Sequence, residues 1–347
     1  MKKMKRSFWI AGLVVLFVLA LTACGGNGSN NQTGNSAAAG GSAANAAPSA
    51  TAEVTLEPSS SPAAAESATR TIEYMGEQYT VPANAERIVI TGAMEAMEDA
   101  LVLDVHPVGA ITFGGAFPER FAAITDKAES IGEKTEPNFE TILKLKPDVI
   151  LGTTKFKPEV VEQLKKIAPL IQVSHIASNW EANLNLLAEL TGKQDKAQAA
   201  IAEYQADLGK AKALLGDKLK DKKVVALRIR AGQVFIFPAA VFVNPILYND
   251  LGLAVPAEVE AAKAQEAISV EQLAAMNPDI LFLQFAADEN AEAATALEDL
   301  QNNPIIRKIN AMKNDKTFVN VIDPLAEGGP AWSRVQFLKA AVEQLNK

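Results

Sequence analysis

The chain has 347 residues, a formal net charge of -8, one cysteine and two histidines. The acidic balance argues against nucleic acid or an anionic lipid surface as a partner. Two histidines cannot build a three-histidine metal site, and one cysteine leaves no disulfide within the chain.

Lys2, Lys3, Lys5 and Arg6 precede an apolar stretch over 8–21 that is too short to span a bilayer comfortably, so 1–23 reads as a cleaved signal peptide. The run Leu21-Thr22-Ala23-Cys24 resembles the lipobox of bacterial lipoproteins, in which the cysteine sulfur receives a diacylglyceryl group. That resemblance implies a protein held by an acyl anchor at Cys24 on the extracellular side of the cell membrane. Loss of the four basic leader residues takes the net charge from -8 to -12. After Cys24, from Gly25 to Thr69, the chain is Gly, Asn, Ser, Ala, Thr and Pro with three acids (Glu53, Glu57 and Glu66), no Lys or Arg and almost no large apolar residue, a composition that cannot bury a core. It reads as a flexible tether spanning about 35 to 40 Å.

Beyond it, about 278 residues suit two domains rather than one. The β-branched run at 87–91 predicts a strand, 93–103 a helix and 108–113 a second strand. A helix at 139–145 ends at Lys146-Pro147-Asp148 and gives way to a strand at 149–151. A helix over 158–167, a strand over 170–173 and a helix over 180–190 complete a first lobe, 70–192. Apolar strands alternating with amphipathic helices predict a parallel sheet covered on both faces. Apolar residues at helical spacing over 193–220, with Gly209 as a weakening position, predict one long interlobe helix. The second lobe, 221–347, opens with Val224-Val225-Ala226-Leu227-Arg228-Ile229-Arg230. Glu140, seven residues before Pro147-Asp148, recurs 131 residues later as Glu271 before Pro278-Asp279, so the two lobes are built alike. A strand at 317–322 and a closing helix at 332–345 match those at 170 and 180.

Glu86-Arg87-Ile88-Val89-Ile90, Leu145-Lys146-Pro147-Asp148-Val149-Ile150-Leu151, Met276-Asn277-Pro278-Asp279-Ile280-Leu281, the stretch from Asn303-Pro304 to Val321 and the long central helix together resemble the substrate-binding lipoproteins of ABC importers for ferric siderophores, a family that includes vitamin B12 and haem binders. The resemblance covers most of 70–347. It implies an α/β fold of the class III periplasmic-binding-protein type, with two similar lobes joined by one long helix. It further implies a monomeric receptor that holds an iron chelate between its lobes and hands it to an ABC permease driven by a separate ATPase.

Ligands of open α/β sheets bind outside the carboxyl ends of the strands. In the first lobe these ends carry Thr91, Gly92, Phe113, Gly114, the segment 153–156 with Lys155, Ser174 and His175. In the second they carry Arg228, Arg230, Gln284, Phe285 and the segment 323–332. Arg228 and Arg230, at i and i+2, face one side of a strand and suit a carboxylate or hydroxamate chelate; the alternative for Arg228 is a carboxylate partner across the sheet. Trp332 is placed by the resemblance against the ligand, and could equally be a core tryptophan. Lys155 and Trp180 could line the cleft or be ordinary surface and helix-start residues.

The resemblance also implies one carboxylate on each lobe that docks onto arginines of the permease. Glu98 stands at the matching distance before Pro107-Val108-Gly109, with Glu95 or Asp99 as substitutes, and Asp250 is the candidate in the second lobe. Glu95/Glu98 and Glu289/Glu292 otherwise read as solvated helix faces.

A hydrolase lacks its signatures here: the chain has no Gly-x-Ser-x-Gly and no His-Glu-x-x-His. No dinucleotide fingerprint is present either. The expected function is therefore capture of a ferric siderophore, with hydroxamate or citrate types favoured over catecholate because an arginine pair alone is a thin basic site for a highly anionic chelate. Cobalamin and haem are the alternatives, with Tyr248 or His175 as the axial ligand a haem would need. No resident cofactor or metal is expected, since the iron is held through the chelator.

Overall fold

The computed structural model describes residues 68–346. The predicted signal peptide, Cys24 and all but the last two residues of the predicted tether lie outside them. Thr69 already opens a strand: β1 (Thr69–Tyr74) and β2 (Glu77–Pro82) form an antiparallel hairpin. Its two-residue turn, Met75 and Gly76, has φ of 53° and 83°, the left-handed pair that a type I′ turn demands.

The chain then runs through β3 (Ile88–Thr91), α1 (Met94–Leu103), β4 (Gly109–Thr112), β5 (Glu129–Glu133), β6 (Glu136–Pro137), α2 (Phe139–Leu145), β7 (Val149–Thr153), α3 (Pro158–Lys165), β8 (Leu170–Val173) and α4 (Trp180–Thr191). Its six strands form one sheet in the order β6-β5-β4-β3-β7-β8, parallel except where β6 folds back on β5. Every residue of β3 and β7 is buried, as expected of strands covered on both faces.

Helix α5 (Gln194–Leu219) follows, 26 residues without a break and so about 39 Å long. One face, with Ala197, Tyr204, Leu208, Ala211 and Leu215, is buried against α4 and the last helix. The second sheet comes from β9 (Val224–Arg230), β10 (Gln233–Ile236), α6 (Ala257–Ala261), β11 (Glu266–Ile268), α7 (Val270–Met276), β12 (Ile280–Phe285), α8 (Ala296–Asn302), α9 (Asn310–Lys313), β13 (Thr317–Val319) and α10 (Ala331–Leu345). Its order is β11-β10-β9-β12-β13, with β9, β12 and β13 parallel and the β10 and β11 edge antiparallel. The fold is thus α/β, with two mostly parallel sheets flanked by helices and the long helix α5 between them in the chain.

The repeated Pro-Asp has a structural cause. Asp148 Oδ2 accepts the backbone N–H groups of Glu86 (2.9 Å) and Arg87 (2.8 Å), and Asp279 Oδ2 accepts that of Lys223 (3.0 Å). Each aspartate therefore pins the entry of the neighbouring central strand. The basic residue at each entry also closes the helix that leads into that aspartate: Arg87 donates to Leu145 O and Lys223 to Met276 O, both at 2.6 Å. These clamps hold the amino ends of the strands and leave the carboxyl ends to differ.

Candidate functional site

At the carboxyl ends lies a cavity of about 410 Å³. The loops after β7 and β8 bring Lys155 and His175 to it, β9 brings Arg228 and Arg230, and the loop before β11 brings Lys263 and Gln265. Helix α1 adds Glu95, and the segment before α10 adds Glu327, Gly329 and Pro330. Trp180, Phe237 and Phe242 are its aromatic walls. Four basic side chains thus share a partly apolar cleft.

The two arginines are not equivalent. Glu289 Oε2 accepts Nε–H from both, at 2.9 Å from Arg228 and 3.1 Å from Arg230, which is the across-the-sheet partner left open for Arg228. Arg228 is only 2% exposed, and its Nη1 and Nη2 donate to the carbonyls of Ala326 (3.2 Å) and Pro324 (3.3 Å). It therefore holds the 323–327 loop while lending its charge to the cavity wall. Arg230 is more open and donates to Gln265 Oε1 at 2.8 Å. Gln284 is a correction: it does not line the cavity, and its Nε2 donates to the carbonyls of Asp323, Pro324 and Ala326, so it shapes the same loop. Trp332 and Phe113, both half-buried, also lie outside the cavity lining; Trp332 is in the first turn of α10 and Phe113 closes a tight turn through backbone bonds with Ala116.

The acids of α1 are the larger correction. Glu95, Glu98 and Asp99 are 5%, 0% and 0% exposed, so none is a solvated face and Glu98 offers no carboxylate to a permease. Helix α1 is covered from the far side by the segment leading into α10. Glu98 Oε1 accepts the Glu327 N–H at 2.8 Å, its Oε2 accepts the Ser333 hydroxyl, and Asp99 Oδ1 accepts the Ala331 N–H at 3.2 Å. These bonds tie residues more than 200 positions apart. Burial pushes the Glu98 carboxyl up to about 7 despite the nearby Arg120, and lifts Asp99 well above its usual range.

Glu95 is likewise pushed up to about 7, by burial and the charge of Glu327, against the lowering effect of Lys155 and Lys134. Glu327 behaves oppositely. Burial would raise it, but Lys134, Lys155 and Arg228 outweigh that and hold it below the ordinary carboxylate range, with Lys134 in direct contact. His175 is kept on its neutral side by burial and Lys155, and its Nδ1 lies 2.7 Å from Thr154 Oγ1.

Asp250 is the partner of Arg334 and accepts from Tyr204 Oη at 2.6 Å, so it too is engaged within the fold. The buried Arg334 stacks 4.8 Å from the Trp180 ring centroid and 5.5 Å from that of Tyr204, and its Nη2 donates to Ala177 O at 3.0 Å. Behind the cavity wall it joins α4, α5 and α10. Gly329 explains how closely the strand tips meet here: a Cβ on it would overlap Ala177, 2.8 Å from its Cα.

Of the seven predicted ligand residues, Arg228, Arg230, Lys155 and His175 come together, whereas Trp332, Phe113 and Gln284 do not. Lys263, Gln265, Glu95 and Glu327 were not foreseen. Lys263 sits in an irregular loop before an edge strand with no motif around it, and only membership of the 323–332 strand-tip segment marked Glu327. Among the described residues no group of three or more His, Cys, Asp or Glu is placed to hold a metal ion, and no helix is long and apolar enough to cross a membrane.

Residues 117–320 match the family model described as periplasmic binding protein. The chain is 53% identical over 276 residues to the iron-uptake system-binding protein of Bacillus subtilis, spanning 80% of this chain and 87% of that one. It is 31% identical over 269 residues to the probable siderophore-binding lipoprotein YfiY of the same organism, spanning 74% and 82%. Among solved structures, the triscatecholate siderophore binding protein FeuA from Bacillus subtilis, complexed with ferri-bacillibactin, superposes with a TM-score of 0.78 at 53% identity, over 80% of this chain and 98% of that one. The petrobactin-binding protein YclQ, at 19% identity and a TM-score of 0.69, shares the fold. With two facing α/β halves, a central 26-residue helix and a cavity at the strand tips, the chain belongs to the periplasmic binding protein family, whose members are solute-binding proteins and not enzymes.

Proposed function

We propose that the chain is an extracytoplasmic, lipid-anchored receptor that captures a ferric siderophore, of the tris-catecholate class, and delivers it to an ABC permease for iron uptake. The observation that carries this reading is the gathering of Lys155, Arg228, Arg230 and Lys263 around one aromatic-walled cavity. A ferric tris-catecholate bears three negative charges, and several converging cations in a partly desolvated cleft suit it. The preference for hydroxamate or citrate rested on an arginine pair standing alone; two lysines beside it remove that reason. The 53% identity to a protein whose crystal structure holds ferri-bacillibactin supports the same class.

Docking on the permease needs one exposed acid on each lobe, and the duplicated pair Glu140 and Glu271 meets that requirement where Glu98 and Asp250 do not. Both are exposed, in the first turns of α2 and α7. Each helix runs back along its sheet before entering β7 or β12, so these turns flank the strand-tip end, where the cavity opens.

Titration of the intrinsic tryptophan fluorescence, to which the cavity-lining Trp180 contributes, with a ferric tris-catecholate, a ferric tris-hydroxamate, ferric citrate, haem and cobalamin tests the reading. The tris-catecholate is expected to bind at least about a hundredfold more tightly than the neutral tris-hydroxamate. Preferential binding of haem or cobalamin would defeat it.

A further inference from the structure

The cavity wall holds two carboxylates among its cations, an arrangement that repels any anionic ligand and calls for a reason. Glu327 is locked: Lys134 contacts it, its backbone N–H is donated to Glu98, and Lys155 and Arg228 lie close by. Among the described residues Glu95 has a single ion-pair partner, Lys155, with Nζ 3.8 Å from Oε1. Lys155 is half-exposed while the Glu95 side chain is 7% exposed, so the cation is able to swing into the cavity and the carboxylate is unable to follow it into water.

We propose that Glu95 is a specificity-determining residue: it is the resident counter-ion of Lys155, an incoming anionic chelate takes that lysine from it, and Glu95 then takes up one proton from solvent. This inference rests on the tris-catecholate reading given above. An ionised carboxylate left buried beside a trianion and without its lysine is strongly disfavoured, and forming the O–H bond on Glu95 removes that charge. The groups facing Glu95 are Lys134 beyond β5, Lys155 beyond β7, His175 beyond β8, Tyr74 on β1, Arg228 on β9, Glu327 before α10, and Glu98 and Asp99 on its own helix. Lys155 is the only one of these cations that is both in ion-pair reach of Glu95 and exposed enough to move. Burial already places the Glu95 carboxyl at about 7 in the free protein, and replacing the lysine by an anion moves it further up.

The sign follows from linkage. The bound state holds more protons than the free state only above about pH 7, so affinity for a trianionic chelate is level below that pH and falls toward tenfold per pH step above it. A neutral chelate, which has no claim on Lys155, lacks this slope. Glu95 thereby makes capture of anionic chelates sensitive to pH.

Calorimetry of the full chain with a ferric tris-catecholate at pH 8, in two buffers of different ionisation enthalpy, is expected to register uptake of close to one proton. Glu95→Gln should abolish the uptake and bind about tenfold more tightly at pH 8. His175→Asn should keep the uptake, whatever its affinity. Lys155→Gln, which leaves Glu95 protonated before ligand arrives, should weaken binding and lower the proton count, an independent check should Glu95→Gln fold poorly. An unchanged pH slope in Glu95→Gln, or loss of the slope in His175→Asn, would overturn the inference while leaving the receptor reading intact. Failure of the unaltered chain to bind the tris-catecholate at all would overturn both.

Discussion

The two sheets meet the cavity with opposite chemistry. Behind β3 in the first, α1 carries Glu95, Glu98 and Asp99 into the contact; at the matching place in the second, β9 carries Arg228 and Arg230. At the amino ends the two halves are nearly identical, down to the aspartate that pins each central strand. A duplicated scaffold thus diverges where the halves face each other, and the divergence separates two tasks. The first lobe's acids hold the second lobe's 327–333 segment in place, and the second lobe's cations, with Lys155, are left for ligand.

That division is broken most severely by removing the three cavity cations that keep contact with water. Lys155→Ala, Arg230→Ala and Lys263→Ala together should lower affinity for a ferric tris-catecholate on the order of a thousandfold, each loss costing about tenfold. Folding should be little affected, because these side chains keep contact with water. Equilibrium titration and a thermal melt on the same protein separate the two effects. Arg228→Ala is expected to behave differently, since it also frees the carbonyls of Pro324 and Ala326; it should lower the melting temperature as well as the affinity.

The acids of α1 break the other half of the comparison. Glu98→Ala leaves the Glu327 N–H and the Ser333 hydroxyl buried without their partner, at a cost of about 3 kcal/mol, or about 6 to 12 °C in melting temperature. Chelate affinity should fall less than stability. A pH series sharpens this. The Glu98 carboxyl lies near 7 in the folded chain and near 4.3 unfolded, so the folded state binds the extra proton between those values. Its stability contribution is complete below the unfolded value and is lost as pH rises through 7. The melting temperature should therefore drop as pH rises from about 4.3 to 7 and level off above that, and Glu98→Gln, which stays neutral, should flatten the drop.

These acids also mark where sequence reasoning stopped. The strands β3, β7, β8, β9 and β12 were legible because burial on both faces writes a continuous apolar run, and Pro147-Asp148 and Pro278-Asp279 fixed the helix ends beside them. The β1–β2 hairpin was not, because only one face is buried and Met75-Gly76 is not a usual type I′ pair. The edge strands β5, β6, β10 and β11 are short, with exposed positions between the apolar ones. At Glu95, Glu98 and Asp99 the local pattern is that of a solvated helix. The partners that bury them, Glu327, Ala331 and Ser333, are more than 200 residues away, beyond any periodicity. Arg228 and Arg230 were found because i and i+2 on a strand is a local fact; Lys263 was missed because its approach to the cavity is not.

A smaller effect is expected where the halves remain alike. Glu140→Ala and Glu271→Ala, both on exposed first turns, should leave chelate affinity unchanged. Iron uptake by cells carrying the receptor should fall several-fold for each, and further for the pair, because exposed charges at an interface act mainly on association. Reduced chelate binding in either variant would move these glutamates from docking to ligand capture.

The smallest change tests the element between the halves. Gly209 and Gly216 lie within α5 with open space where a Cβ would stand, so neither is there for close packing, and each weakens the helix by about 0.5 to 1 kcal/mol relative to alanine. Gly209→Ala should raise the melting temperature by about 1 to 4 °C. If α5 acts as a stiff rod, chelate affinity and its rate of capture stay as they were, since no bend at Gly209 takes part in binding. If instead the halves close on ligand by flexing there, stiffening the helix slows capture, and stopped-flow tryptophan fluorescence would register the change even where equilibrium affinity did not. The rod reading expects identical traces from the variant and the unaltered chain.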